Sequence, residues 1–204
     1  MKDFGLVVIG AHFGVWLEEK ISLYKNKNIL LVEPVPYNYK ILKDKFLKNK
    51  NISICTNAIF SKKNKKEFYF VKENSIPKLG KHWASGIGSF DKQHILNHRN
   101  KRFQITENDI EKIEIEFITF DDLIKNYEIN SIDNLQIDVE SAEFHILNSI
   151  DFQKINIDSI QFESKHFDGT FVEGPKLKLI KEKLLKNGFE ITQLDKENIL
   201  ATKK

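Results

Sequence analysis

The sequence predicts an α/β protein: an open, doubly wound, mostly parallel sheet of about seven strands, closed at its C-terminal edge by an antiparallel hairpin. Three observations carry this reading. Short apolar runs alternate with segments whose apolar residues recur at helical spacing. The runs at 6–9 and 29–32 are continuous rather than alternating, as in strands covered on both faces. The last two runs, 189–194 and 198–202, are separated only by Asp195, Lys196 and Glu197, which suits a hairpin turn.

Leu6, Val7, Val8 and Ile9 make the first strand, closed by Gly10. After a loop that ends at Gly14, Leu17, Ile21 and Tyr24 mark one helical face. The second strand, 29–32, ends at Glu33; beyond Pro34 and Pro36, the residues Ile41, Leu42 and Phe46 mark a second helix. Residues 52–58 are expected to form a third strand. Residues 67–71 and 112–120 read as an antiparallel pair around an excursion at about 72–111, with Asp121 capping a short helix to Tyr127. The fourth core strand, 135–139, ends in acids and precedes a helix that buries Ala142, Ile146, Leu147 and Ile150. A fifth strand spans 157–163. Pro175 suits the first turn of the last helix, Leu177, Ile180 and Leu184 share its face, and Gly188 terminates it.

The 204 residues suffice for one domain, and 41% hydrophobic with 30% charged residues describes a globular chain rather than a disordered or membrane one. Four prolines and nine glycines leave no composition for a long flexible linker. No apolar run approaches the roughly 20 residues of a membrane helix. The first residues lack the apolar core and small-residue cleavage site of a signal peptide, so a cytoplasmic location is expected. The single cysteine, Cys55, excludes an internal disulfide and a Cys-rich zinc site, and is expected to be a buried apolar residue. Net charge is +3, with lysines spread along the chain; the one dense basic cluster, 61–66, reads as a turn. Without a basic stripe interleaved with aromatics, neither nucleic acid nor a membrane is the expected partner.

Ligands of such sheets sit beyond the carboxyl ends of the strands. The loop from Gly10 to Gly14 lets a ligand approach the backbone, and Glu33 follows Gly10 by 23 residues, near the spacing at which an acid accepts ribose hydroxyls. Together they point to a nucleoside-containing cofactor, against the plainer alternative of a tight turn and a solvated strand end. The spacing G-x-x-x-G departs from the dinucleotide fingerprint and disfavours NAD; no phosphate-binding G-x-x-x-x-G-K-[ST] is present. If the fourth strand persists through Glu140, the side chains of Asp138 and Glu140 share a face, and their repulsion makes one a candidate proton acceptor. Capping of the helix near Ser141 is the alternative, and Glu143 is expected at the surface. His166, just past the fifth strand, is either a candidate general base or a loop histidine in water. His145 is expected to be structural. His94 and His98 lie four apart, but no third ligand accompanies them at a diagnostic spacing, so no metal is expected. The excursion, with Trp83, Gly86, Gly88, Ser89 and three histidines, is expected to be a lid or substrate loop, the alternative being a polar insertion.

The segments VIGAHFG (8–14), VEP (32–34), NAIFSKKNKKEFYF (57–70), TFDDL (119–123), LQIDVESAEFHIL (135–147) and IQFES (160–164) follow one another along almost the whole chain. In these it resembles the FkbM-like methyltransferases, S-adenosylmethionine-dependent enzymes on the Rossmann-like class I methyltransferase fold. The resemblance implies that Gly10, Ala11, His12 and Gly14 cradle the methionine part of the cofactor, that Glu33 holds its ribose, and that Asn57 and Ala58 line the adenine side. It also places Asp138 and Glu140 close to the transferred methyl group, and implies O-methylation of a hydroxyl on a sugar, glycan or small metabolite. The family usually has an acid at the position of Val8, and often Asn and Gly at those of His12 and Ser141. Histidine, like asparagine, occupies positive φ more readily than most residues. A catalytically silent S-adenosylmethionine-binding protein, or a nucleotide-sugar or NAD enzyme on the same topology, are the alternative functions.

Overall fold

In the computed structural model, which describes residues 1–99, 103–139, 142–169 and 172–204, the chain builds two sheets. It starts with β1 (Lys2–Ile9), α1 (Glu18–Leu23), β2 (Asn28–Val32), α2 (Pro36–Phe46) and β3 (Ile52–Cys55). Then come β4 (Ala58–Ile59), β5 (Asn64–Val71), α3 (Ile76–Leu79), β6 (Gly88–Ser89), α4 (Lys92–Leu96) and β7 (Ile110–Ile118). The remainder is α5 (Phe120–Asn126), β8 (Ile129–Ile137), α6 (Glu143–Ser149), β9 (Asn156–Glu163), α7 (Pro175–Lys186), β10 (Phe189–Gln193) and β11 (Asn198–Lys203).

The larger sheet has seven strands in the order β10-β11-β9-β8-β1-β2-β3. Only β11 runs against the rest, pairing antiparallel with both β9 and β10. The chain winds outward from β1 to β3, then returns to the other side of β1 as β8, so the switch point lies beyond Ile9 and Ile137. Alternation along β1 explains the two layers. Val7 and Ile9 join the large apolar cluster that takes in residues of α5, α6 and α7, while Leu6 and Val8 pack with Leu17, Ile21 and Leu42 on the side of α1 and α2. On that second side, beyond Val8, the sheet turns polar: Asn134, Gln136, Ser159 and Gln161 are only half-buried, and Asn134 donates to Ser159 Oγ at 2.8 Å.

Several expected boundaries move. The third strand is shorter than 52–58: β3 ends at Cys55, and Ala58 and Ile59 leave for the second sheet, where β4 pairs with β7. Cys55 itself is buried. The helix cap is Thr119 rather than Asp121, because its hydroxyl accepts the Asp122 N–H while the Asp122 carboxylate reaches back to Thr119, a reciprocal pair that Asp121 cannot make. The fourth core strand lies earlier than 135–139: Ile129 and Ile132 are anchored in the core and Asn130 and Ser131 bond to Asp3, so pairing with β1 starts at Ile129 and the strand ends at Ile137. In the last helix Leu177, Ile180 and Leu184 are buried as expected, and Asp168 supplies the cap that no residue within the helix provides. Its carboxylate accepts the N–H groups of Gly174, Lys176 and Leu177 at 3.2, 3.0 and 3.0 Å.

The second sheet, β4-β7-β5-β6, carries the 72–111 excursion, which has an apolar cluster of its own. Val71, Leu79, Ala84, Ile87, Ile95 and Ile105 are buried there. Asp109, 1% exposed, is its polar hub, accepting from Ser75 Oγ at 2.9 Å and from the Thr106 N–H at 2.9 Å, and pairing with Lys78. Among the described residues no helix is long and apolar enough to cross a membrane.

Candidate active site

A cleft of about 200 Å3 opens where β1, β2 and β8 end. Gly10, at φ +90, makes the first turn out of β1; a Cβ there would stand 1.7 Å from the Asp138 carbonyl oxygen, so only glycine lets the two strand ends approach. His12 follows at φ +52, the left-handed region that histidine tolerates. Its ring leaves the loop to meet the excursion, where His12 Nε2 lies 2.5 Å from Ser85 Oγ. The Ser85 carbonyl accepts from Asn38 Nδ2 at 2.8 Å and from Tyr37 Oη at 3.4 Å. One residue of the excursion is thereby tied both to the glycine loop and to α2.

Glu33, at the end of β2, is 4% exposed. Its Oε2 accepts the His12 N–H at 2.8 Å and its Oε1 the Val35 N–H at 2.9 Å. Burial pushes its pKa up to about 7, although the hydrogen bonds from Val35, His12 and Asn38 pull the other way. A carboxylate oxygen accepts more than one hydrogen bond, so both oxygens keep capacity on the cleft side.

Gly10, Ala11, His12, Glu33, Ala58 and Asp138 all line this cleft. Its other walls are largely aromatic: Trp16 and Leu17 at one rim, Phe68 and Phe117 from the second sheet, and Trp83, Gly86, Gly88, Ser89 and Phe90 of the excursion as a roof. Gly14 is not in the lining. At φ +77 it turns toward α2, where an added Cβ would lie 3.0 Å from Leu42 Cδ2. Asn57 also stands outside, because the break between β3 and β4 turns its amide to the Glu116 carbonyl, 3.1 Å away. Val8 is 1% exposed and wholly within the apolar layer under α1.

Asp138 is exposed at the cleft, where its N–H continues the sheet to the Ile9 carbonyl at 2.9 Å. Glu140 and Ser141 lie outside the described residues. Because β8 already ends at Ile137, the extended segment that was to align Asp138 with Glu140 is not continued by Asp138. Glu143 is a correction of a different kind: it is 1% exposed, and its Oε1 accepts the Val139 N–H at 2.9 Å, holding the turn after β8. Carboxylate oxygens of Asp138, Glu143 and Glu163 lie within 4.8 Å of one another. The buried Lys165 ammonium pairs with Glu163 and reaches Glu197 Oε2 at 3.2 Å, which offsets part of that negative charge. This acidic group beside Asp138 was not legible from spacing, since Glu143 and Glu163 are 20 residues apart and come together only through the β8–β9 pairing.

His166 is half-buried and outside the cleft lining; its ring meets that of His94, edge to face, with centroids 5.9 Å apart. His94 in turn meets His98 at 5.7 Å, so this histidine group joins the excursion to the loop after β9. His145 packs on Phe60 at 4.9 Å, and burial lowers its pKa.

Residues 9–191 match a family model described as the methyltransferase FkbM domain. Among curated proteins no sequence matches. Similar solved structures include precorrin-6y C5,15-methyltransferase from Geobacter metallireducens, at 12% identity and a TM-score of 0.46, over 100% of this chain and 82% of that one. Fibrillarin from Aeropyrum pernix, in complex with natively bound S-adenosyl-L-methionine, is 11% identical with a TM-score of 0.44, over 98% of this chain and 66% of that one. A methyltransferase from Pyrococcus furiosus is 11% identical with a TM-score of 0.41, over 100% of this chain and 77% of that one. The family match spans most of the chain, from the last residue of β1 into β10, and takes in the glycine loop, Glu33 and Asp138: the chain belongs to the FkbM methyltransferase family.

Proposed function

We propose that the protein is an S-adenosylmethionine-dependent O-methyltransferase whose acceptor is a hydroxyl of a small or carbohydrate-containing molecule. The observation that carries the cofactor part is the meeting of Gly10, Glu33 and Asp138 around one cleft in a chain of this family. The lining fits an adenosyl group chemically. Glu33 offers acceptor capacity to two ribose hydroxyls, the aromatic lining from Phe68, Phe90 and Phe117 suits a flat heterocycle, and Gly10 lets the ends of β1 and β8 close up beside them. When bound, S-adenosylmethionine supplies a methyl group on a sulfonium that departs as a neutral thioether.

The chain's own contribution is alignment. Gly10 and the roof residues Gly86 and Gly88 shape the cavity, and the Ser85 contacts fix the roof over it, which excludes water and holds the acceptor oxygen in line. Asp138, exposed at the cleft, is the group in position to accept or orient the acceptor proton. His166 has no place in the cleft lining, which favours Asp138 over it for that role.

Thermal unfolding with S-adenosylmethionine, NAD and nucleotide sugars tests the reading. A ligand at about 100 times its Kd stabilises by about 2.7 kcal/mol, or about 5–10 °C in a chain of this size. S-adenosylmethionine is expected to give that shift and the others none; a shift from NAD alone would reverse the assignment. Methyl transfer to a hydroxyl acceptor, lost in Asp138→Asn, separates the enzyme from a silent binding protein.

A further inference from the structure

Lys20 lies on the second face of the sheet, where Gln136 of β8 and Gln161 of β9 stand side by side in register. Its Nζ donates to Gln136 Oε1 at 2.7 Å and to Gln161 Oε1 at 2.7 Å. Both acceptors are neutral amides. Among the described residues no carboxylate lies within ion-pairing distance of this ammonium, although the side chain is half-buried and burial lowers its pKa. A partly desolvated cation that meets only neutral groups is unfavourable unless an anion completes its surroundings. An ammonium also has three donors, and the two glutamines take two.

The place of Lys20 relative to the cleft says what that anion is. Gln136, one of its two partners, lines the cleft, and so do Trp16 and Leu17 immediately before α1. Ala58, Phe68 and Phe117 line the same cleft, as do Gly10 and Asp138. Lys20 is not itself a lining residue but is bonded to one, so a ligand group that reaches it passes Gln136 and is negatively charged. Val8 stands opposite Gln136 in register and is packed among Leu6, Ala11 and Leu17, so no acid at that position neutralises Lys20 from within the chain.

We propose that Lys20, held in place by Gln136 and Gln161, anchors the carboxylate of the amino-acid end of the cofactor. This rests on the methyltransferase reading above and extends it to a residue one helical turn beyond the glycine loop. The consequence is selectivity: affinity should depend on the carboxylate, not only on the adenosyl group.

Calorimetric titration of S-adenosylhomocysteine and of 5′-methylthioadenosine, which lacks the amino-acid end, tests this on the wild type and on Lys20→Met. The expected result is a loss of about 10- to 100-fold for S-adenosylhomocysteine in Lys20→Met, with methylthioadenosine unchanged, as for one charge-assisted hydrogen-bonded contact. Unchanged methylthioadenosine binding also reports an intact cleft. Decarboxylated S-adenosylmethionine gives the same information without a substitution, and should bind the wild type at least tenfold more weakly than S-adenosylmethionine. Equal losses for both ligands in Lys20→Met, no loss for either, or no preference for the carboxylated form by the wild type would each overturn the assignment of Lys20. A wild type that takes up none of these compounds would overturn the methyltransferase reading itself.

Discussion

Glu33 carries two duties at once. Its carboxylate closes the glycine loop onto the end of β2 through the His12 and Val35 N–H groups, and it faces the cleft. In Glu33→Ala those two donors lose their acceptor in a buried place, which should destabilise the unliganded protein by about 1–3 kcal/mol in urea denaturation. The raised pKa fixes the sign of a pH effect. Between its ordinary value of 4.5 and about 7 the folded state keeps a proton that the unfolded state has lost. Stability of the unliganded wild type therefore falls as pH rises through that window, by at most about 1.4 kcal/mol per unit from this group, and the slope flattens in Glu33→Ala. Hydroxyls that donate to the same carboxylate favour its charged form, so cofactor affinity should rise over the same window, read by titration at pH 5.5 and 7.5. The place of Glu33, at a strand end beside the glycine loop, was legible from the sequence. Its hold on His12 and Val35 was not, since spacing along the chain does not say where a carboxylate bends back on its own backbone.

Among the elements, α7 shows a cap that comes from outside the helix. Asp168, six residues before Gly174, takes three N–H groups of the first turn. Desolvation raises its pKa, but the hydrogen bonds from Leu177, Lys176 and Gly174 outweigh this and the net shift is downward. The support is thus present above the ordinary carboxylate range and is lost as pH falls through the lowered value. Asp168→Ala is expected to lower the thermal midpoint by about 2–6 °C at neutral pH, and by less in acid, followed by circular dichroism. The contact between His12 and Ser85 is the other joint to probe. Ser85→Ala should speed amide hydrogen exchange in the 82–90 segment while sparing β1 and β8, because only the roof loses a tie. Continuous apolar runs and helical spacing made the order of strands and helices readable in advance. The breaks were harder: 52–58 reads as one strand, and what divides it is the β4–β7 pairing, with Phe117 and Ile118 more than fifty residues away. The beginning of β8 was hidden for a similar reason: Asn130, Ser131 and Asp133 interrupt any apolar run, and it is the pairing with β1 that makes this stretch part of the strand.

At the level of the whole molecule, the sheet order puts the ends of β1, β2 and β8 side by side, and a glycine loop, a strand-end acid and a second acid far apart in sequence become neighbours. That convergence followed from topology and was anticipated. The acidic group of Asp138, Glu143 and Glu163 was not, because Glu143 sits at a helix start that looks solvent-facing, yet its carboxylate turns inward and accepts the Val139 N–H. The histidines show the reverse. His94 and His98 lie four apart in sequence and their rings meet, although α4 ends at Leu96 and His98 is beyond it; with His166 from another element they form a seam between excursion and sheet rather than part of the cleft lining. The roof and the rim of the cleft also hold both tryptophans of the chain, Trp83 above and Trp16, 72% exposed, beside the glycine loop. The protein's entire indole emission therefore originates at one cavity. Occupancy of the cleft should move Trp16 out of water and shift the emission to shorter wavelength, so that fluorescence titration, with Trp16→Phe to assign the change, measures ligand uptake with no label attached.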